Sequence, residues 1–402
     1  MYFINVFSLA LLGFFATASA APTPPAPLAT PTNPLDSHDI IANTLAARSL
    51  IHRLAYRDLT GIALGASIFP QKAEGDAPYS NTEATLKAAI KMPASFTFGK
   101  KMPVILGPGT GATGTSSFSG NFLKQLMNST TFDPVALDIP DNLLNDIQSN
   151  AEFYSYSINY ISAVSNNANV SVITWSQGSM NMQWAMKYWP STRAVVSDFI
   201  PVSPDLKGST IINFTGGIGD AFQAIAPVPQ ALSQQKDDSN YVKTLNANGG
   251  DSAFVPTTAV FSSSDEIVKP QVDNVKGSGF FLDARNVGVS NTLVQAACPN
   301  QPAGKDFSHA GMLYSPVTFA LAMDALSNPG PGDLTRLDMA TVCGASVSPG
   351  LSKADKKATD GLIAAAAANV ITYTVSGKAI VGEPGIKQYA AKDAPPKAKI
   401  ST

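Results

Sequence analysis

One serine in this chain stands where a nucleophile could be held ready for attack. Ser176 follows an apolar, β-branched run, Val170 to Trp175, that is typical of a buried strand. Residues 179–189 then show helical spacing, so Ser176 lies at a strand-to-helix turn. Such a turn lifts a serine hydroxyl to the edge of a sheet, where it can attack a substrate. The alternative is a serine that only caps the helix.

Only one histidine can serve as the general base for that serine. Enzymes built on this turn order their catalytic residues as serine, acid and histidine. His38 and His52 both precede Ser176, so His309 is the only histidine that follows it. His309 stands in a loop-like stretch, 306–311, that opens a predicted helix. A structural histidine is the alternative interpretation.

The acid is expected to be Asp265. This residue follows the predicted strand Thr257 to Phe261, which places it at the same edge of the sheet as the nucleophile. Glu266 and Asp205 are the competing candidates, and helix capping is the alternative role for Asp265. In this set Ser176 attacks an acyl carbon, His309 carries the proton, and Asp265 holds the imidazole in the required tautomer.

A glycine-rich loop, 107–114, comes directly after the predicted strand Met102 to Leu106. The loop lacks the lysine and the glycine spacing of nucleotide-binding motifs, so a phosphate site is poorly supported. Its glycines would let the backbone approach a reacting carbonyl, and Thr110 adds a hydroxyl donor. We expect the N–H of Gln177 and the N–H and hydroxyl of Thr110 to stabilise an oxyanion. A tight surface turn is the alternative.

Alternating strands and helices around these residues predict the fold class. The pattern favours an α/β protein with a mostly parallel sheet and helices on both faces. The further predicted strands are 134–137 and 195–202, and the predicted helices are 81–91, 119–127, 142–165, 179–189 and 361–368.

Composition and the N-terminus indicate a secreted protein. The net charge is −2 and only 14% of residues are charged, so neither a nucleic acid nor an anionic membrane is expected as a partner. Residues 1–20 read as a signal peptide that ends in Ala18-Ser19-Ala20, although its start lacks Lys or Arg. Residues 21–75 form either a variable N-terminal segment or a pro-segment, and residues 76–402 form the catalytic domain. No later apolar run is long enough for a transmembrane segment.

Cysteines and sequons agree with a secretory route. Cys298 and Cys343 are the only cysteines and most simply form one disulfide, with two unpaired thiols as the alternative. Asn128, Asn169 and Asn213 stand in glycosylation sequons.

Several motifs together resemble the fungal lipases typified by Candida antarctica lipase B. Over about residues 80–390 they are Pro108–Gly111, Thr174–Gly178, Pro204–Gly208, Asp265–Gln271 and His309–Gly311. Thr174, in place of the first glycine of the G-x-S-x-G turn, is that family's own form.

The resemblance implies an α/β-hydrolase fold, with Ser176, Asp265 and His309 as the triad and Thr110 and Gln177 as oxyanion donors. It also implies roles in the substrate pocket, with Trp175 on the alcohol side, Asp205 and Gln177 near the acyl side, Ile267 and Val268 in the lining, and the helix from Gly361 to Ala368 as a wall. The family carries more disulfides, and Gly382 stands where a cysteine is expected. The resemblance therefore predicts a looser tail, 392–402.

These observations predict a secreted serine lipase or esterase that hydrolyses carboxylic esters, triacylglycerols among them, through an acyl-enzyme. We expect a monomer that acts at a lipid–water interface and needs no cofactor and no metal. A non-catalytic secreted lipid-binding protein on the same scaffold is the alternative from another class, and a serine peptidase is a further one.

Overall fold

The computed structural model describes residues 55–62, 64, 67–210 and 227–401. The predicted signal peptide and the sequon at Asn213 lie outside these ranges. Asn128 and Asn169, which carry the other two sequons, are exposed.

A seven-stranded sheet forms the centre of the described chain, in the order β1-β3-β2-β4-β5-β6-β7. Strand β1 pairs antiparallel with β3, and every other pairing in this sheet is parallel. A short parallel pair, β8 and β9, stands apart from it. The strands are β1 Ile90–Lys91, β2 Met102–Gly107, β3 Phe132–Leu137, β4 Val170–Trp175, β5 Val196–Val202, β6 Thr257–Phe261, β7 Val289–Leu293, β8 Ile386–Lys387 and β9 Ile400–Ser401.

Helices connect the strands and cover the sheet. They are α1 Glu83–Ala88, α2 Gly114–Phe118, α3 Phe122–Met127, α4 Ile147–Val164, α5 Gly178–Tyr188, α6 Gln230–Gln234, α7 Asn240–Asn246, α8 Val294–Ala297, α9 Pro316–Ser327, α10 Met339–Gly344, α11 Lys353–Asp360 and α12 Leu362–Val375. Short 3₁₀ turns include Pro140–Leu143 and Gly311–Tyr314.

Both faces of the sheet are buried, as in parallel sheets generally. Val172 and Phe199 pack with helices α4 and α5 in one apolar cluster. Ile173 and Ile200, their neighbours along the strands, pack with α2, α3 and α9 in a second cluster. Because successive strand residues point to opposite faces, both faces of β4 and β5 carry apolar residues. The predicted α/β architecture is confirmed.

The start of α4 differs from the sequence prediction. The helix was expected from residue 142 but begins at Ile147. Asp141 and Asn142 adopt left-handed backbone angles inside the preceding 3₁₀ turn, which interrupts the helical path. Asp146 then caps α4 by accepting a hydrogen bond from the backbone N–H of Gln148.

Residues near both ends of the described chain contact the core. Leu59 and Ile68 are buried in the same cluster as α4, although they lie within the segment predicted to be variable. Near the other end, Asp393 accepts hydrogen bonds from the Tyr188 hydroxyl at 2.8 Å and the Asn248 amide at 2.6 Å. The start of the tail is therefore tied down by buried polar contacts, contrary to the looser tail that was expected.

Cys298 and Cys343 are joined in a disulfide that links the end of α8 to α10, as predicted. Across the part of the chain that the structure describes, we find no helix both long and apolar enough to cross a membrane.

Candidate active site

Ser176 lies in a sharp turn between β4 and α5. Its φ is 55°, a left-handed value that is uncommon for serine and is typical of strained functional sites. The turn is held on both sides, because Ser176 N–H donates to Val202 at 3.0 Å and the carbonyl of Ser176 accepts from Ser179 N–H at 2.8 Å. A Cβ at position 178 would lie 2.6 Å from the carbonyl oxygen of Pro108, so only glycine fits there. The sharp strand-to-helix turn that the sequence predicts at Ser176 is present in the structure.

Thr174 occupies the first position of this turn, where glycine is usual. Its hydroxyl and the Ser179 hydroxyl form a buried hydrogen bond of 2.9 Å. The bond connects the end of β4 to the first turn of α5. The threonine thus helps to close the turn that presents Ser176.

His309 and Asp265 form a buried pair at the same edge of the sheet. The distance from His309 Nδ1 to Asp265 Oδ2 is 2.7 Å, and both side chains are almost fully buried. Asp265 Oδ1 accepts the backbone N–H groups of Ile267 at 2.9 Å and Val268 at 2.8 Å, which fixes the carboxylate plane. Burial by itself would lower the pKa of His309, but attraction and hydrogen bonding to Asp265 outweigh it and raise that pKa above its ordinary value.

The two competing acids do not bond the imidazole ring. Glu266 instead accepts the backbone N–H of His309 at 2.8 Å. Both oxygens of Asp205 have no hydrogen-bond partner among the described residues. Of the three acids, only Asp265 is placed to orient the ring.

The backbone of His309 is held by two donors that face its carbonyl oxygen. The indole N–H of Trp175 donates at 3.1 Å and the hydroxyl of Ser203 at 3.2 Å. Ser203 directly follows β5 and has a φ of 47°. Ser203 carries no sequence signal beyond its place at the end of a predicted strand.

Thr110, in the glycine-rich loop, contacts Gln177, the residue directly after Ser176. The hydroxyl of Thr110 donates to Gln177 Oε1 at 2.7 Å, and Gln177 Nε2 donates to the carbonyl of Leu143 at 3.0 Å. Within the described ranges, the backbone N–H groups of Thr110 and Gln177 have no acceptor. Two free N–H groups in a buried setting can stabilise a negatively charged oxygen.

Comparisons with known proteins agree with this geometry. No protein-family model matches the chain. The chain is 32% identical to lipase B of Pseudozyma antarctica over 319 residues, which cover 78% of this chain and 86% of that protein. The chain belongs to the lipase B family.

A solved lipase B has the same fold. The crystal structure of Aspergillus fumigatus lipase B matches with a TM-score of 0.77 and 43% identity, covering 83% of this chain and 78% of that one. Membership of the lipase B family confirms the resemblance seen in the motifs, the α/β-hydrolase fold and the expected class of enzyme. The protein is a carboxylic ester hydrolase of the lipase or esterase type.

Some residues expected to form the substrate pocket of this lipase B family member contact His309, Asp265 or the glycine-rich loop. The Trp175 ring is buried against Gly109 and lies 5.3 Å from the His309 ring, centroid to centroid. Val268 is buried and Ile267 half-buried. Helix α12, whose beginning was expected as a wall, packs on the glycine-rich loop, since Asn369 donates to the carbonyl of Gly111 at 2.8 Å.

Asp205 is the one buried carboxyl group beside this site without a partner in the described chain. It is 1% exposed, and burial raises its pKa to about 7, with a partial offset from attraction to His309. A carboxyl group in this state is neutral in mildly acidic solution and must ionise as the pH rises.

The protonation of Asp205 should be visible in stability. The pKa of Asp205 is about 7 in the folded state and about 3.8 in the unfolded chain. Between these two pH values the unfolded chain binds fewer protons than the folded one. Stability must therefore fall as the pH rises through that range. Replacing Asp205→Asn, which cannot ionise, should stabilise the protein more at about pH 8 than at about pH 5, by on the order of 2–3 kcal/mol. Urea unfolding of both proteins at the two pH values measures this. If the difference in unfolding free energy between Asp205→Asn and wild type were the same at both pH values, Asp205 would keep one protonation state.

Proposed function

We propose that the protein is a secreted serine lipase or esterase that hydrolyses carboxylic esters, triacylglycerols among them, through an acyl-enzyme. The observation that carries this proposal is the 2.7 Å contact between His309 and Asp265 at the sheet edge where the strained Ser176 turn also lies. A general base oriented by a buried carboxylate beside a serine is the arrangement that activates a hydroxyl for acyl transfer.

In the first half of the reaction, Ser176 Oγ attacks the ester carbonyl carbon and His309 Nε2 takes the hydroxyl proton. Asp265 keeps the Nδ1 proton in place and stabilises the imidazolium that forms, which agrees with the raised pKa of His309. The carbonyl oxygen becomes an oxyanion. The free N–H groups of Thr110 and Gln177 would bind it, and the Thr110 hydroxyl would join them by turning its hydrogen away from Gln177 Oε1.

Collapse of the tetrahedral intermediate breaks the bond from the carbonyl carbon to the alkoxy oxygen. His309 gives its proton to the departing alcohol, and the acyl group stays on Ser176. A water molecule then attacks the acyl-enzyme with His309 again as base, which releases the acid and restores Ser176.

Apolar surface near the site supports a lipid substrate. From Leu362 to Val375, helix α12 contains no charged residue. On its outer side Ile371 is 43% exposed and Val375 is 78% exposed. The helix packs on the loop that holds Thr110 through Asn369, so an uncharged helix with exposed apolar side chains stands next to the proposed oxyanion loop.

Secretion rests on the N-terminal sequence, the sequons and the disulfide. A disulfide persists in oxidising compartments, and Asn128 and Asn169 are exposed as glycosylation would require. The signal peptide itself lies outside the described residues.

Hydrolysis of a p-nitrophenyl ester series, from acetate to palmitate, tests the proposed chemistry, and tributyrin and triolein emulsions test the substrate class. We expect turnover of the esters and of at least one emulsion. Esters cleaved without either emulsion would restrict the protein to an esterase. A folded protein that is inert toward every ester would contradict the proposal and favour the lipid-binding alternative.

Loss of the Thr110 hydroxyl should slow the chemical step. Thr110→Val keeps the backbone N–H but removes one oxyanion donor, so kcat should fall by about 100-fold while KM changes little. Steady-state kinetics on p-nitrophenyl butyrate separate the two constants. The control is Thr113→Val in the same loop, where the hydroxyl only caps α2 and kcat should be retained. An unchanged kcat in Thr110→Val would remove this hydroxyl from the oxyanion hole.

A further inference from the structure

A third side chain joins the two proposed oxyanion residues. Gln235, the residue directly after α6, is 3% exposed, and its amide reaches both of them. Gln235 Nε2 donates to Gln177 Oε1 at 3.1 Å, and Gln235 Oε1 accepts the Thr110 hydroxyl at 3.0 Å. The three residues come from the loop after β2, the nucleophile turn and the end of α6.

The orientation of the Gln235 amide follows from its surroundings. Its Nε2 faces two carbonyl-type oxygens, Gln177 Oε1 and the backbone oxygen of Ala231 at 3.0 Å. Both are acceptors, so the amide nitrogen must point toward them and the amide oxygen toward Thr110. The bond to Ala231 also anchors the amide to its own helix, which gives the network a fixed support.

The network restrains Thr110 and Gln177 at the same time. The Thr110 hydroxyl has one hydrogen and two acceptors, Gln177 Oε1 at 2.7 Å and Gln235 Oε1 at 3.0 Å. Gln177 is held from the other side by its bond to Leu143. Without Gln235, the Gln177 amide oxygen would lose one of its two donors and Thr110 one of its two acceptors. Oxyanion donors are effective only when their positions are fixed before the reaction.

We propose that Gln235 is a positioning residue that fixes the separation and orientation of the two halves of the oxyanion hole. This inference rests on the proposed function. Gln235 acts through Thr110 and Gln177, and its loss should therefore slow the step in which the oxyanion forms. Ground-state binding of the ester should be nearly unaffected.

A double-mutant cycle tests this role. Gln235→Met keeps the length of the side chain but removes its amide, and should lower kcat by about tenfold with KM changed by less than about twofold. In the Thr110→Val background the same substitution should lower kcat by a smaller factor, about threefold, because the hydroxyl is gone and only the restraint on Gln177 remains. Kinetics on p-nitrophenyl butyrate for the four proteins give the coupling.

The neighbouring glutamine supplies a matched control. Gln234 is also buried, but its amide bonds the backbone N–H of Ile147 at 2.8 Å and Asp146 at 2.6 Å, away from Thr110. Gln234→Met removes two buried hydrogen bonds from the same helix end, against three in Gln235→Met. It should lower stability without the fall in kcat.

The possible outcomes distinguish a failure of the positioning role of Gln235 from a failure of the proposed oxyanion hole. Equal losses of kcat from Gln235→Met in both backgrounds, or no loss in the wild-type background, would overturn the positioning role. An unchanged kcat in Thr110→Val alone would instead contradict the oxyanion hole itself. If Gln235→Met does not fold, Gln235→Asn keeps a buried amide but withdraws it by one methylene, and the same coupling to Thr110→Val is expected.

Discussion

Replacing Ser176→Ala should lower kcat on p-nitrophenyl butyrate by about 10⁴-fold or more. The substitution removes the atom that attacks the ester, whereas His309, Asp265 and the oxyanion donors remain. The remaining groups can still bind an ester and polarise its carbonyl, so a small rate above that in water is expected. A phosphonate ester that reacts with activated serines should label the wild-type protein once, at Ser176, and leave the variant unlabelled.

Ser179→Ala is the matched control for that loss. Ser179 lies in the same turn, and its hydroxyl bonds Thr174 at 2.9 Å rather than the substrate side. Its removal weakens the turn, so stability should fall by about 1 kcal/mol while kcat stays within about fivefold of wild type. Circular dichroism and thermal unfolding of both variants would exclude misfolding as the cause. Activity of Ser176→Ala within about tenfold of wild type would contradict a serine mechanism.

The sequence predicted the strands better than the turns between them. β4 and β6 match their predicted limits because each is a largely apolar run rich in β-branched residues and buried throughout. The start of α4 did not match, since the helical pattern of residues 142–146 is overridden by left-handed angles at Asp141 and Asn142. Such angles depend on contacts that sequence periodicity does not report.

The site was predictable where chain order and strand ends constrain it. His309 was identified as the only histidine after Ser176, and Asp265 as the acid at the end of a strand. The structure brings His309 and Asp265 into contact. Gln235 and Ser203 could not be found in the same way, because Gln235 contributes through two long-range hydrogen bonds and Ser203 through one. In sequence they are a glutamine in a polar helix end and a serine after a strand.

Thr174 shows how a departure from a motif acquires a physical reason. By the general pattern, threonine in place of the first glycine counts against a nucleophile turn. In the structure its hydroxyl bonds Ser179, so the threonine supplies a contact that glycine cannot make. Gly178 has no such freedom, because a side chain there would meet the loop that carries Thr110.

Replacing Asp265→Asn should be nearly as damaging as removing the nucleophile. Asp265 Oδ1 accepts two backbone N–H groups, so an asparagine must place its carbonyl oxygen there and turn its NH₂ toward His309 Nδ1. The imidazole would then carry its proton on Nε2, which faces the nucleophile and can no longer accept a proton from it. We expect kcat to fall by about 10⁴-fold for this reason.

The pH profile distinguishes this tautomer effect from a general loss of structure. Asp265 raises the pKa of His309, so its replacement should also lower that pKa and move the acidic limb of kcat/KM to lower pH. With only three histidines in the chain, NMR of histidine-labelled protein can follow His309 directly. Glu266→Gln is the control variant, because it alters the neighbouring acid but keeps an acceptor for the backbone N–H of His309. It should lower kcat by less than about tenfold. If Glu266→Gln were the more damaging of the two, the roles of the adjacent acids would have to be exchanged.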